Sequence, residues 1–203
     1  MKNLKELPDQ KTLEEAGNCD ILDIDGNKVK FSTIFAEQKT IVVFIRHFFC
    51  GVSNKPLYVE ALASVPEEAL TQASTRIVVI GCGGYGPIKS YKEATKFNGL
   101  FFADPSLKLY HALGMDIESL EKTPVGEVKR SYLTLSAFSN LMMSLWRGPF
   151  KHPWQVGKQG KFTQLGGEFI LGPGSTCLFA SRMKHTEDHV EVKDLMKEAG
   201  VVY

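Results

Sequence analysis

The sequence predicts an α/β fold with a mixed central sheet flanked by helices, and three observations lead to this prediction. The apolar, β-branched run at residues 40–45 is typical of a strand buried on both faces of a sheet. A second run of this kind, at residues 76–80, stands between two helical patterns, as in a βαβ unit. Two further strand patterns and a helical pattern close the chain, which adds an antiparallel hairpin to the parallel core.

The elements are predicted in order from the start of the chain. Residues 1–17 are a lead-in with a short helix that ends at Gly17, and residues 19–31 form a hairpin turned by Asp25-Gly26-Asn27. Ser32 is expected to cap a short helical turn. The further strands are predicted at residues 40–45, 76–80, 100–103, 168–171 and 176–182. The further helices are predicted at about 51–65, 67–72, 88–97, 105–115, 131–146 and 190–199.

Length and composition fit a single domain at residues 18–203 behind the lead-in. With 203 residues and 22.6 kDa, the chain is long enough to bury a full core. A formal charge of +1 gives no reason to expect nucleic acid as a partner. No stretch reaches the roughly 18 apolar residues that a spanning helix needs, and no secretory signal pattern is expected at the start.

The cysteines are dispersed along the chain, without a Cys-x-x-Cys pair or a nearby pair of histidines. This spacing argues against a zinc site and against a disulfide scaffold. It favours a reducing compartment, and a cytoplasmic location is therefore expected. The four residues are Cys19, Cys50, Cys82 and Cys177.

Cys50 is the strongest candidate nucleophile. It follows the strand at 40–45 and precedes a helix, so its thiol is predicted at the carboxyl edge of a central strand and at a helix N-terminus. Unpaired backbone N–H groups and the helix dipole favour a thiolate there, and Arg46 and His47 can add positive charge. The alternative is a buried structural cysteine, because free cysteine is among the most buried residue types.

Other residues are candidates to complete a site around this thiol. Arg182 ends a strand predicted beside the central one, so its side chain faces either the Cys50 pocket or solvent. Phe49 and Trp146 are expected to pack in the core, although an apolar wall beside a thiol also suits an apolar organic substrate. Three histidines are too scattered for a metal site and are expected at the solvated surface, namely His152, His185 and His189.

A glycine-rich stretch offers a competing hypothesis. Gly81-Cys82-Gly83-Gly84-Tyr85-Gly86 matches the G-x-G-x-x-G fingerprint of dinucleotide binding, and Asp104 follows the next strand. Against this, Pro87 follows the third glycine directly, Asp104 has a sufficient role as a helix cap, and too few βα units follow. The glycines are therefore predicted to form a turn, and no nicotinamide cofactor is expected.

Two segments resemble a known family. The first is Arg46-His47-Phe48-Phe49-Cys50, and the second is residues 164–174 with Phe179 and Arg182 behind them. Together with Tyr110-x-x-Leu113-Gly114-Met115, they resemble the peroxiredoxin-like 2 proteins of the alkyl hydroperoxide reductase/thiol-specific antioxidant branch of the thioredoxin superfamily. The resemblance spans about residues 18–200. It implies a thioredoxin-like, peroxiredoxin-type sheet with an N-terminal β-hairpin and a long inserted helix. It also implies an antioxidant cysteine that reduces peroxides or endoperoxides without a metal or organic cofactor.

The sequence departs from the family patterns at Ser53, at His47 and at Val43, which stands where peroxiredoxins carry the proline of Pro-x-x-x-Thr-x-x-Cys. Where the family carries the second cysteine of Cys-x-x-Cys, this chain has Ser53, whose hydroxyl can bind a thiolate but cannot form a disulfide. Where peroxiredoxins carry the threonine of Pro-x-x-x-Thr-x-x-Cys, this chain has His47, which can donate a hydrogen bond to a peroxide oxygen. Without a cysteine at position 53, an oxidised Cys50 needs Cys82, Cys177, a partner subunit or an external thiol to resolve it.

Three functional hypotheses follow. The first is a one-cysteine oxidoreductase in which Cys50 attacks an O–O bond, Arg46, His47 or Arg182 polarises the leaving oxygen, and Gly51 allows close approach. Glutathione or a thioredoxin-like protein would then supply the reducing thiol. The second is non-peroxidatic chemistry on an apolar metabolite, and the third is a redox-inactive binding module. The amphipathic stretch at 131–150 is predicted to pack either on the sheet or between the subunits of a homodimer.

Overall fold

The computed structural model describes residues 3–48, 57–133 and 160–203, which form a seven-stranded sheet with helices on both faces. The strands are β1 (Asp20–Leu22), β2 (Lys28–Lys30), β3 (Lys39–Ile45), β4 (Thr75–Gly81), β5 (Leu100–Ala103), β6 (Gly167–Gly172) and β7 (Thr176–Arg182). The α-helices are α1 (Gln10–Gly17), α2 (Leu57–Ala63), α3 (Glu67–Gln72), α4 (Ile88–Thr95), α5 (Lys108–Ala112) and α6 (Val192–Glu198). Two short 3₁₀ helices lie at Phe31–Phe35 and Ser131–Leu133.

The strand order is β2-β1-β5-β4-β3-β6-β7. β3, β4 and β5 run parallel, and the other neighbouring strands pair antiparallel. The predicted βαβ core, the closing ββα unit and the N-terminal hairpin are thereby confirmed. The predicted long helix at 131–146 falls almost entirely outside the described residues, and only its first turn, Ser131–Leu133, is seen as 3₁₀ helix.

The sheet buries both of its faces, which explains why its central strands are apolar without alternation. One face packs against α2, α4 and α6, with Ile41, Val43 and Ile45 of β3 pointing to it. The other face packs against α1, α5 and the first 3₁₀ helix, with Val42 and Phe44 pointing to it. The lead-in helix α1 therefore contributes to the core, while the proposed domain boundary at residue 18 stays a prediction.

Several helix ends differ from the predictions, because the backbone there is set by local geometry. Asp104 does cap the next helix, as its carboxylate accepts from the backbone N–H of Leu109 at 2.9 Å. Yet Leu107 is left-handed, with φ 58°, and α5 begins only at Lys108. Ser32 is not a cap, because the 3₁₀ helix begins before it, at Phe31.

The carboxyl ends of β3 and β4 meet at one edge of the sheet and are covered by the chain that returns before β6. Gly160 packs against this edge, where an added Cβ would stand 2.7 Å from the carbonyl oxygen of Cys82. Its φ of +84° also favours glycine. Further along the segment that returns before β6, Gln164 forms an isolated antiparallel β-bridge with Glu118. Arg46, His47 and Phe48, which follow β3, are therefore enclosed rather than surface-exposed.

Among the residues described here, no helix combines the length and the apolarity needed to span a bilayer. The same residues contain no group of three or more His, Cys, Asp or Glu side chains placed to hold a metal ion.

Candidate active site

The chain leaves β3 through Arg46 and His47, two polar residues that are nearly fully buried. Their exposed fractions are 7% and 3%. The Arg46 Nη2 donates to the carbonyl oxygen of Phe162 at 2.6 Å, and the His47 ring meets the Phe162 ring edge-on at 4.7 Å between centroids. The returning segment thus fixes both side chains at the end of the strand that leads toward Cys50.

Arg46 carries an unfilled hydrogen-bond donor. Its Nε is buried and has no partner among the residues that the structure describes. Arginine keeps its charge when buried, and an unmade hydrogen bond on a buried charged group is costly. An electronegative atom supplied from outside the described residues would therefore be stabilised at this nitrogen.

His47 is neutral at physiological pH. Burial lowers its pKa from 6.5 to about 4, and the positive charge of Arg46 acts in the same direction. The expectation that His47 adds positive charge is therefore wrong, because desolvation disfavours the imidazolium. A neutral imidazole still offers one N–H donor and one acceptor, so its predicted role as a hydrogen-bond donor is compatible with this state.

Cys82 lies directly against this turn. It is 1% exposed, and its thiol donates to the carbonyl oxygen of Arg46. The Tyr110 hydroxyl lies 2.6 Å from the carbonyl oxygen of Ile45 and 2.9 Å from that of Ile80. These contacts join the ends of β3 and β4 and fix the direction in which the chain leaves the sheet.

The glycine-rich stretch after β4 packs closely against the protein's own residues at Gly81 and Gly83. An added Cβ at Gly81 would stand 2.6 Å from the Phe48 ring, and Gly160 lies against the Cα of Gly83. The Asp104 carboxylate accepts hydrogen bonds from Ser106 and from the following helix. The geometry therefore favours the turn interpretation over a cradle for a pyrophosphate.

Cys177 lies far from the carboxyl end of β3, the end that leads toward Cys50. It pairs with Leu171, at the opposite end of the sheet from Arg182, about 17 Å along the strand. Burial raises the pKa of the Cys177 thiol to about 11, which lowers its thiolate fraction. Cys19, Cys82 and Cys177 are all free thiols.

Arg182 lies at the expected end of the sheet, but its contacts face the N-terminal segment. Its Nη1 donates to the carbonyl oxygens of Leu4 and Glu6, and its Nε to that of Leu113. Its guanidinium also lies 5.2 Å from the centroid of the Phe169 ring. The alternative of an exposed strand-end arginine is wrong, because Arg182 is buried. A role toward Cys50 stays a prediction.

The expectation of solvated histidines is wrong for His185 and His189, which are both buried. His189 Nδ1 is hydrogen-bonded to Oε1 of Glu168, a fully buried residue of β6. The sequence signal for this pair was a glutamate within an otherwise apolar strand, which demands a buried partner. The partner itself, on a loop far along the chain, carried no separate signal.

Five predicted site residues lie outside the described parts of the chain, together with His152. They are Phe49, Cys50, Gly51, Ser53 and Trp146. Their roles stay predictions, and the described geometry bears on them only through Arg46 and His47, which precede Cys50 closely in the sequence.

Comparison with known proteins identifies the family. Residues 61–185 match the AhpC/TSA antioxidant enzyme family. Peroxiredoxin-like 2C of Mus musculus is 32% identical over 188 residues, which cover 89% of this chain and 77% of that protein. The chain belongs to the AhpC/TSA antioxidant enzyme family. Peroxiredoxin-like 2C of Bos taurus is 34% identical over 188 residues, with 89% and 76% of the two chains covered.

The fold of this AhpC/TSA family member is similar to solved peroxiredoxins. A cysteine-to-serine mutant of peroxiredoxin 6 from Arenicola marina superposes with a TM-score of 0.58 at 13% identity, covering 90% of this chain and 69% of that one. The predicted resemblance and the thioredoxin-like, peroxiredoxin-type fold are therefore confirmed. The family match begins after Cys50, so it does not bear on that cysteine itself.

Proposed function

We propose that this chain is a one-cysteine oxidoreductase that reduces peroxides or organic endoperoxides with Cys50. The family makes a thiol peroxidase-type function the natural starting point. The single observation that carries the proposal is the buried Arg46, whose Nε has no partner among the described residues, four positions ahead of Cys50. A fixed cationic donor beside a thiol suits a reaction in which negative charge develops on a leaving oxygen.

The proposed step balances in the following way. The Cys50 thiolate attacks one peroxide oxygen, so that an S–O bond forms while the O–O bond breaks. The sulfur is oxidised to a sulfenic acid, and the other oxygen leaves as an alkoxide or hydroxide that takes up a proton. Arg46 stabilises the charge on that oxygen, and neutral His47 donates a hydrogen bond to the peroxide.

The remaining predicted site residues have supporting roles in this proposal. Gly51 allows the peroxide to approach the backbone, and the Ser53 hydroxyl binds the thiolate. Phe49 and Trp146 form an apolar wall for organic substrates. Because the guanidinium of Arg182 is engaged with backbone carbonyls of the N-terminal segment, we assign polarisation of the leaving oxygen to Arg46 instead.

An external thiol, glutathione or a thioredoxin-like protein, is proposed to restore Cys50. A first thiol forms a mixed disulfide with release of water, and a second thiol releases the reduced enzyme. The burial of Cys82 and the raised pKa of Cys177 support this route over an internal disulfide. A cytoplasmic location and a homodimer remain part of the proposal, on the grounds of cysteine dispersal and the amphipathic stretch at 131–150.

Mass spectrometry with a sulfenic-acid trap tests the proposal. The protein is treated with stoichiometric hydrogen peroxide or an organic hydroperoxide, and the digest is searched for the trapped adduct. We expect the adduct on Cys50 and none at that peptide in Cys50→Ala. A Cys50 that stays a free thiol while Cys82 or Cys177 reacts as fast would refute the peroxidase function.

A further inference from the structure

A cluster of buried polar side chains lies beneath α2, on the opposite face of the sheet from Arg182. Glu168 on β6 is fully buried, and its Oε1 is hydrogen-bonded to His189 Nδ1. The Tyr58 ring on α2 stacks on the His189 ring, at 4.2 Å between centroids and 6° between planes. The Tyr132 ring meets Tyr58 edge-on at 5.0 Å. Four separate parts of the chain therefore meet at one carboxyl–imidazole pair.

The loop that carries His189 is tied to the same cluster through its backbone. The Tyr132 hydroxyl donates to the carbonyl oxygen of Glu187 at 2.8 Å and accepts from the backbone N–H of His189 at 3.1 Å. The imidazole is thus held in place on both sides, by Tyr58 and by Tyr132. Its position depends on α2 and on the turn Ser131–Leu133 being seated on the sheet.

Charge balance restricts the protonation state of the pair. An isolated charge in a buried site is costly, whereas a carboxyl–imidazole pair that holds one proton is neutral overall in either arrangement. Burial raises the pKa of the Glu168 carboxyl, although His189 and the backbone N–H of Val190 act in the opposite direction, and Asp188 adds to the rise. One proton therefore suffices to make the buried pair neutral.

The titratable groups around the pair are engaged in contacts of their own, although Asp188 still raises the pKa of Glu168. Asp188 is paired with Arg130 at 3.0 Å, and Glu191 accepts from the backbone N–H and hydroxyl of Ser131. Burial raises the pKa of Tyr58 well above its ordinary value, so the α2 side chain that stacks on His189 carries no charge. On the sheet, Glu168 stands beside Val43 of β3 and Ser181 of β7, neither of which is charged.

Two buried atoms of the cluster have no hydrogen-bond partner within the described residues. They are Oε2 of Glu168 and the hydroxyl oxygen of Tyr58. Hydrogen bonding among the described residues alone does not account for this arrangement. Apolar side chains at these positions would avoid the free-energy cost of burying an unpaired carboxylate oxygen and an unpaired hydroxyl. A buried pair retained at such a cost points to a use of its proton.

We propose that Glu168 and His189 share one buried proton and that this pair, through the Tyr58 ring, holds α2 on the sheet. Cys50 lies within residues 46–56, which connect β3 to α2 in the sequence, so the pair consists of positioning residues for the reaction proposed at Cys50. That last link rests on the function proposed above, whereas the shared proton and the hold on α2 do not. When one partner is removed, the other carries an uncompensated charge once it ionises. The hold on α2 should then weaken at low pH without Glu168 and at high pH without His189.

The test measures hydrogen exchange of α2 amides by mass spectrometry, corrected for intrinsic rates, from about pH 5.5 to 8. In Glu168→Gln, protonation of His189 is uncompensated, so protection is expected to fall at least about tenfold toward the acid end. In His189→Gln, ionisation of Glu168 is uncompensated, so protection is expected to fall by a similar factor toward the alkaline end. In the wild type and in the double variant that combines Glu168→Gln with His189→Gln, α2 protection is expected to be independent of pH across this range.

Ile170→Val is the matched control, because it makes a cavity on the same strand and the same face without touching a charge. It is expected to lower α2 protection equally at all pH values. Single variants that behave like this control, with losses independent of pH, would overturn the proposal. If a single variant does not fold, the wild type alone still decides once the pH range is widened, because its α2 protection must be flat from about pH 5.5 to 8 and must fall both below and above that range. A monotonic profile would overturn the proposal.

The alkylation rate of Cys50 with iodoacetamide, followed in the same samples, tests the link to the thiol. We expect this rate, divided by the wild-type rate at the same pH to remove the intrinsic pH dependence of the thiolate, to change together with α2 protection in each single variant and to be constant in the double variant. Rates that do not follow α2 protection would overturn the positioning role. If the rates do follow it but no sulfenic acid forms, the proposed function fails while the positioning role stands.

Discussion

Two buried polar regions of the described structure differ in whether their charge is balanced from within. Arg46 and His47, at the end of β3, combine a fixed positive charge with a neutral imidazole, and Arg46 Nε has no partner in the described structure. Glu168 and His189, beneath α2, form a pair that is neutral with one proton. The first arrangement is suited to an atom that arrives from outside, and the second to holding the protein's own elements together.

Arg46→Met should have the largest effect, on activity. It removes the donor proposed to stabilise the leaving oxygen, so we expect the rate of sulfenic-acid formation at Cys50 to fall about 100-fold or more. Competition kinetics with hydrogen peroxide measure this rate, and Arg46→Lys, which keeps the charge without the planar fork, should recover only part of it. An unchanged rate in Arg46→Met would show that this region does not contact the peroxide.

His47 should make folding stability sensitive to acid. Its pKa is about 4 in the folded protein and about 6.5 when unfolded, so the unfolded state binds the extra proton between these values. Stability should therefore be complete above pH 6.5 and should fall by up to about 3 kcal/mol as the pH drops toward 4. Urea unfolding of wild type and His47→Gln at several pH values measures this, and equal pH slopes in the two proteins would contradict it.

Tyr110→Phe should destabilise the first region. The hydroxyl contacts the carbonyl oxygens of Ile45 and Ile80, and its loss leaves both buried acceptors with one partner fewer. We expect the free energy of unfolding to fall by about 1–3 kcal/mol in urea titrations at neutral pH. A fall below about 0.5 kcal/mol would mean that this hydroxyl does not join the strand ends.

Tyr58→Phe is the matched change in the second region and should have the smallest effect. The Tyr58 hydroxyl is buried without a partner among the described residues, and phenylalanine keeps the stack on His189. We expect stability to be unchanged or to rise by about 1 kcal/mol in the same titrations. A loss as large as that of Tyr110→Phe would show that the hydroxyl has a partner, and the contrast between the regions would disappear.

The sheet was predictable because its strands are long apolar runs. Burial on both faces requires β3 and β4 to be β-branched and apolar throughout, and this pattern is visible in the sequence. The start of α5 was not predictable, because the left-handed conformation of Leu107 depends on the chain around it. The local sequence is a better guide to which elements form than to the residue at which each element begins.

The candidate site was predictable only in part, for a similar reason. Arg46 and His47 were found because they stand close to Cys50 in the sequence. The charge of His47 was mispredicted, because its neutrality results from burial by distant residues such as Phe162. His189 was placed at the surface because nothing near it in the sequence reveals that Glu168 is its partner.

The most direct test compares two reactions of Cys50 in the wild-type protein. A lowered thiol pKa alone would accelerate alkylation by iodoacetamide and oxidation by hydrogen peroxide together, whereas a site built around the leaving oxygen accelerates only the oxidation. We therefore predict that the ratio of the oxidation rate to the alkylation rate is at least about 100 times that of free cysteine. A ratio equal to that of free cysteine would contradict the proposed peroxidatic function.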